Sequence, residues 1–198
     1  SALLRYKVLQ QTAEGTSSRA SLHALQVYEP RHCVSASSLR AGQGCSNLTT
    51  HGLLDEQYSF CGDDEDAVSM ALTAMRRLML RWHVRPSDIG ALHVGASLLD
   101  RSKSMKTELM ALVEADSASA EGIDHYDASV GRLSALLSCV SWAEGGSWDG
   151  RWAVAVCVND PVATGQRLVS SAGAMAVLVG RGVGLRIDSL RAMWGHRC

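Results

Sequence analysis

Hydrophobic and polar positions along this chain switch between a period of two and a helical period. Ser21–Tyr28 (S-L-H-A-L-Q-V-Y) alternates as a half-buried strand does, and Glu29-Pro30 ends it. Four acids, Asp63-Asp64-Glu65-Asp66, lead into A-V-S-M-A-L-T-A-M-R-R-L-M-L-R-W, a helix running to about Trp82 whose start they complement electrostatically. Ile89–Val94 reads as a strand followed by a Gly-Ala-Ser turn, and Ser102–Glu114 as a helix with Leu109, Met110, Leu112 and Val113 inward. Gly122–Tyr126 is a short strand, Asp127–Ser129 a turn, and Val130–Trp142 a helix. Trp152–Val158 is a continuous apolar strand of the kind covered on both faces, and Ala172–Val179 and Gly184–Leu190 supply two more. Residues 31–62 form a long irregular connection rich in Ser, Gly, Cys and Asn. Strands alternating with helices predict an α/β domain: a mixed, mostly parallel sheet with helices on both faces.

The helix at 130–142 is the odd element. Val130, Leu133, Ala135, Leu136, Leu137, Cys139, Val140 and Trp142 make it apolar nearly all round, with Arg132 as its only charge. A helix without a polar face is normally buried on all sides. A strand entering such a helix, with a small hydroxyl residue at the junction, is also how α/β enzymes present a nucleophile to unpaired amides and a partial positive charge. Ser129 stands at that junction.

Composition narrows the classes. At 198 residues, with 46% hydrophobic and 20% charged, the chain is an ordinary globular one, with residues 1–20 as an N-terminal extension and 21–198 as one domain. A net charge of −1 gives no electrostatic argument for nucleic acid, and no apolar run approaches membrane-spanning length. The six cysteines lack any C-x-x-C pair, so a reducing compartment is expected, with Cys139 and Cys157 as buried thiols. No metal or cofactor is expected: the four acids have no histidine or further carboxylate spaced to join them. Arg76, Arg77, Arg81 and Arg85 form a solvated face or a docking patch. Residues 1–20 are basic, serine-rich and lack a starting methionine. They fit a mature start after removal of a targeting peptide, part of such a peptide, or simple trimming.

Three segments carry a family resemblance: D-R-S-K-S-M-K-T-E-L-M-A-L (100–112), E-G-I-D (121–124) and S-W-D-G-R-W-A-V (147–154), supported by F-C-x-D-x-E-D (60–66), L-H-V-G (92–95) and A-T-G (163–165). From about Ser21 to Arg191 the chain resembles hydroxymethylglutaryl-CoA synthases of the thiolase superfamily. The resemblance implies one thiolase-type half, of the two that stack into five layers, with the nucleophile-bearing helix in the central layer. It also implies acyl-cysteine condensation chemistry assisted by a glutamate and a histidine. Here Asp127-Ala128-Ser129-Val130-Gly131-Arg132 matches the family's N-A-C-Y-G-G, so Ser129 stands at the nucleophile position. The acid/base glutamate falls at Ala96 and Ser97, and the histidine belongs to the second half. Arg132 replaces a glycine and must either fill the pocket or find a partner. His93 reads as structural, and Ser129 as a helix cap rather than a nucleophile.

The expectation from these substitutions is a catalytically inactive synthase-like module. Such a module would serve as a structural or accessory subunit of a larger assembly, its helix 130–142 covered by other protein subunits, with a homodimer as a lesser version. Alternatives are an acyl-CoA or acyl-carrier binding module, and a Ser129-dependent acyl transferase or hydrolase completed by a partner chain. The basic start favours the mitochondrion over the cytoplasm.

Overall fold

A computed structural model of the chain describes residues 19–35, 37–38, 57–97, 103–114, 120–127, 130–161 and 171–186. Its elements run β1 (Ala20–Tyr28), β2 (His32–Ser35), β3 (Gln57–Phe60), α1 (Ala67–Trp82), β4 (Ile89–Ala96), α2 (Met105–Met110), β5 (Asp124–Tyr126), α3 (Gly131–Glu144), β6 (Trp152–Asn159), β7 (Gly173–Arg181) and β8 (Leu185–Arg186). Six strands form one sheet in the order β5-β4-β6-β7-β1-β8. β4 pairs parallel with both β5 and β6, whereas β7 runs antiparallel to β6 and β1, and β8 to β1. Thus β1, β4, β5 and β6 share a direction, the mixed and mostly parallel sheet expected.

Side-chain size sorts the two faces. Leu92 and Val94 of β4, Val154, Val156 and Val158 of β6, and Leu178 of β7 point to the face covered by α1 and α2. Ala91, Ala153 and Ala155 point to the other, covered by α3, together with Val177 and Val179. α1 supplies Met70, Ala71, Ala74, Met75 and Leu78 to the first core. A reciprocal cap fixes its start, with Ser69 N donating to Asp66 Oδ1 at 2.7 Å and Asp66 N donating to Ser69 Oγ at 2.9 Å. Left-handed His83 (φ 53°) ends it.

α3 meets its face through small residues. Gly131, Ala135, Cys139 and Ala143 recur every fourth position and are buried. A methyl on Gly95 of β4 would lie 2.5 Å from the Gly131 carbonyl oxygen, so helix and strand touch backbone to backbone. The helix is therefore not buried on all sides by the described residues. Leu133 is 41% exposed, and Leu136 and Leu137 are half-buried.

Three boundaries differ from the sequence expectation. The helix expected over Ser102–Glu114 is shorter, because Leu112 and Val113 donate three residues back, to Leu109 O (3.0 Å) and Met110 O (2.8 Å), tightening its end into turns. Its start is set at Ser104, which accepts from Thr107 N at 3.1 Å. The connection 31–62 contains an antiparallel pair, β2 with β3, that lies off the main sheet. α3 runs two residues past Trp142, to Glu144.

Candidate functional site

The parallel strands β5, β4 and β6 all end on one side of the sheet, and α3 begins there. Crevices outside the carboxyl ends of parallel strands are where α/β sheets hold ligands. Ala96 closes β4 and is buried, and Ser97 follows it half-buried. Asp127 follows β5, where its side chain accepts from Val130 N at 2.9 Å and its carbonyl from Gly131 N at 3.1 Å. An aspartate thus holds Val130, the residue that leads into α3. Ser129 itself, with Ala128, lies outside the described residues, as do A-T-G (163–165) and most of residues 1–20.

Arg132 finds partners. Its Nη1 donates to Ser97 Oγ at 2.7 Å and to Asn159 Oδ1 at 3.0 Å. Ser97 Oγ in turn donates to Asn159 Oδ1 at 3.2 Å, and Asn159 Nδ2 donates to Ser171 O at 2.7 Å. The guanidinium therefore ties the ends of β4 and β6 to the start of α3. Sequence reasoning saw that Arg132 needs a partner but missed Asn159, the polar residue closing an apolar strand. None of the three is a base at neutral pH: a hydroxyl, an amide and a guanidinium can orient or fix charge but not accept a proton. Nearby, Cys157 Sγ donates to Arg132 O at 3.3 Å. Burial pushes the Cys157 thiol up to about 11 despite the opposing Arg132 charge, and pushes Cys139 up further. Both stay protonated.

A second cluster lies under α3. His93 on β4 and His125 on β5 are diagonal neighbours, since Gly95 pairs with His125. His125 Nε2 and His93 Nδ1 are 3.5 Å apart. His93 is 9% exposed, and burial first, then the charges of His125 and Lys106, push it down to about 4. His125 is also lowered, by burial against the attraction of Asp124. Both rings are neutral at pH 7, one donating to the other. Among the described residues no three His, Cys, Asp or Glu side chains gather into a metal-binding group. No helix there is long and apolar enough to cross a membrane.

The motif residues that carry the resemblance do structural work. Asp124, ending E-G-I-D, accepts from Ser104 Oγ at 2.5 Å and from Lys106 N at 2.9 Å, pinning the S-K-S-M-K-T segment to β5. Gly122 has φ +144°, and a methyl there would meet Leu92 O at 1.7 Å. In S-W-D-G-R-W, Arg151 Nε contacts Asp149 Oδ2 at 2.7 Å and Trp148 Nε1 donates to Arg151 O at 2.8 Å. This turn precedes β6, so it lies at the opposite end of the sheet from Ser97 and Asn159.

Comparison with known proteins first places the class. The structure aligns with MvaS in complex with 3-hydroxy-3-methylglutaryl coenzyme A at a TM-score of 0.66 and 29% identity, covering 82% of this chain and 40% of that one. A priming β-ketosynthase from the R1128 polyketide pathway aligns at 0.66 and 19% identity, a likeness of fold alone. The fold is thiolase-type. Residues 17–183 match the family described as hydroxymethylglutaryl-coenzyme A synthase N terminal, and the chain belongs to that family. A hydroxymethylglutaryl-CoA synthase of Aspergillus fumigatus is 37% identical over 183 residues, 89% of this chain. A Gallus gallus relative named as cytoplasmic is 40% identical over 162 residues, 79% of this chain. The chain spans only 38% and 31% of those two relatives.

Proposed function

We propose that this chain is a catalytically inactive hydroxymethylglutaryl-CoA-synthase-like unit that serves as a structural or accessory subunit of a larger assembly. The observation that carries this reading is the Arg132–Ser97–Asn159 network. Where the resemblance places an acid/base glutamate, a guanidinium satisfied by two neutral acceptors fills the end of β4 instead. The network itself offers no group that can take or return the proton a condensation requires. The nucleophile position carries a serine, whose hydroxyl needs such a base to react at neutral pH.

α3 supports the accessory role. Its small side is spent on the sheet, and Leu133 on its other side is partly open among the described residues. Apolar surface of this kind is normally covered by protein, either further family-type polypeptide or another subunit. A second copy is a lesser version of the same reading. The cytoplasm is the location we favour, one relative being named so.

The test is the native mass of gently isolated material with its co-purifying chains identified, combined with labelling by radioactive acetyl-CoA and by a serine-reactive phosphonate. Association without label, beside an active synthase that labels, is the expected result. Label on Ser129 establishes the acyl-transferase alternative. A free 21.2 kDa monomer that binds CoA establishes the binding-module alternative.

A further inference from the structure

On the other side of the sheet from α3, the outer face of α1 carries a surface that the subunit reading does not use. Leu80 lies three and four residues from Arg77 and Arg76, and Arg81 four from Arg77, so the four are neighbours on the helix. All four are exposed, Leu80 at 66%, and Trp82 beside them at 40%. Arg77 lies over the Tyr28 ring at 5.0 Å. Among the described residues, Arg76 and Arg81 have no ion-pair or hydrogen-bond partner.

Of the acids that precede the helix, Glu65 approaches Arg77 through Tyr28, and Asp66 is held at the helix start by Ser69. Asp66 caps the helix ten residues before Arg76, about 15 Å along the axis, whereas Glu65 is hydrogen-bonded to the Tyr28 hydroxyl whose ring Arg77 covers. An arginine in the last turn complements the helix dipole, which accounts for Arg81. Tyr28 accounts for Arg77, but neither accounts for Arg76 a turn further in, nor for Leu80 open to water beside it.

We infer that this face docks an acidic protein segment, a helix presenting carboxylates on either side of an apolar side chain. Guanidinium groups pair with carboxylates through two parallel hydrogen bonds, and Leu80 supplies the apolar contact at their centre. An anionic membrane gains only about 1 kcal/mol per basic residue, too little from three. A nucleic acid has no use for the leucine, and the chain's net charge of −1 supplies no wider positive field to hold one.

The inference stands apart from the reading of α3 and is tested separately. The full chain is titrated, by fluorescence anisotropy, into a labelled helical peptide of about 18 residues, roughly five turns, with glutamates flanking central leucines. A lysine-for-glutamate version and a short single-stranded RNA are the other probes. The acidic peptide alone is expected to bind, more weakly as salt rises. Combined Arg76→Glu and Arg81→Glu weaken it at least about tenfold, and Leu80→Ser severalfold, with unchanged melting temperature. Leu80→Ser replaces a water-exposed residue and keeps the test available should the charge reversals disturb folding. Absence of acidic-peptide binding, equal binding of the lysine version, or preference for RNA overturns the inference.

Discussion

Acidification should unfold this protein through its histidine pair, and replacing His93 by Asn should blunt the effect. In the unfolded chain the imidazole titrates near 6.5; in the folded chain His93 is pushed down to about 4. Between these values the unfolded state binds a proton that the folded state refuses. The stabilisation is therefore fully present above about pH 6.5 and is lost as pH falls towards about 4. A difference of this size is worth about 3 kcal/mol for a fully enclosed group. Solvent reaching the half-buried His125 side of the pair reduces it to about 2 kcal/mol. The groups facing His93 add no carboxylate strong enough to reverse the sign: His125 and Lys106 both oppose its protonation, and Asp124 acts on His125. Urea denaturation from about pH 7.5 to about pH 4.5 gives the measurement. The unsubstituted chain should lose about 2 kcal/mol more than His93→Asn over that interval, at constant m-value. Parallel stability curves for the two proteins would mean that the pair is wet and freely protonated, and the argument fails.

Two further outcomes follow from the same packing. Gly95→Ala forces a methyl against the Gly131 carbonyl and Arg132 Cα and should cost about 1–3 kcal/mol; Gly122→Ala, strained in φ as well, should cost more, both read from thermal melts. Asp124→Ala leaves Ser104 Oγ and Lys106 N without their acceptor, and should cost about 2 kcal/mol and speed proteolysis within 103–114 without altering cleavage near β8.

The strand–helix order was legible because the core positions carry their own periods. The runs Trp152–Val158 and Ile89–Val94 are apolar at every exposed-looking position but one, which says that both faces are covered. What the runs do not say is which neighbour each strand takes. β1 reaches β7 across most of the chain, and β7 turns antiparallel to β6, both consequences of long-range pairing. The β2–β3 pair was hidden because its four-residue strands sit within polar, glycine-rich sequence. The histidine pair was invisible for a related reason. His93 and His125 are 32 residues apart and meet only through the parallel register of β4 with β5. Arg132 could be singled out because a charge stood alone in an apolar helix. Asn159 could have been found by asking which polar residues close the carboxyl ends of parallel strands, the one positional signal available without coordinates.

The contrast between motif and site carries a physical lesson about this chain. Its most family-specific segments, E-G-I-D with S-K-S-M-K-T and S-W-D-G-R-W, hold backbone and side chains together: Gly122 is pressed against Leu92, Asp124 accepts from two donors, and Trp148 and Asp149 bond to Arg151. They report the fold, and a chain can keep all of them while its chemistry changes. α3 shows the same separation. Its contact with the sheet needs smallness: Gly131 meets Gly95 backbone to backbone, and Cys139 and Ala143 share a core with Ala91, Ala153 and Ala155. Leu136 and Trp142 add apolar contact to the same core. Leu133, 41% exposed among the described residues, lies off that contact, and it is this side of the helix that the proposed partner would cover.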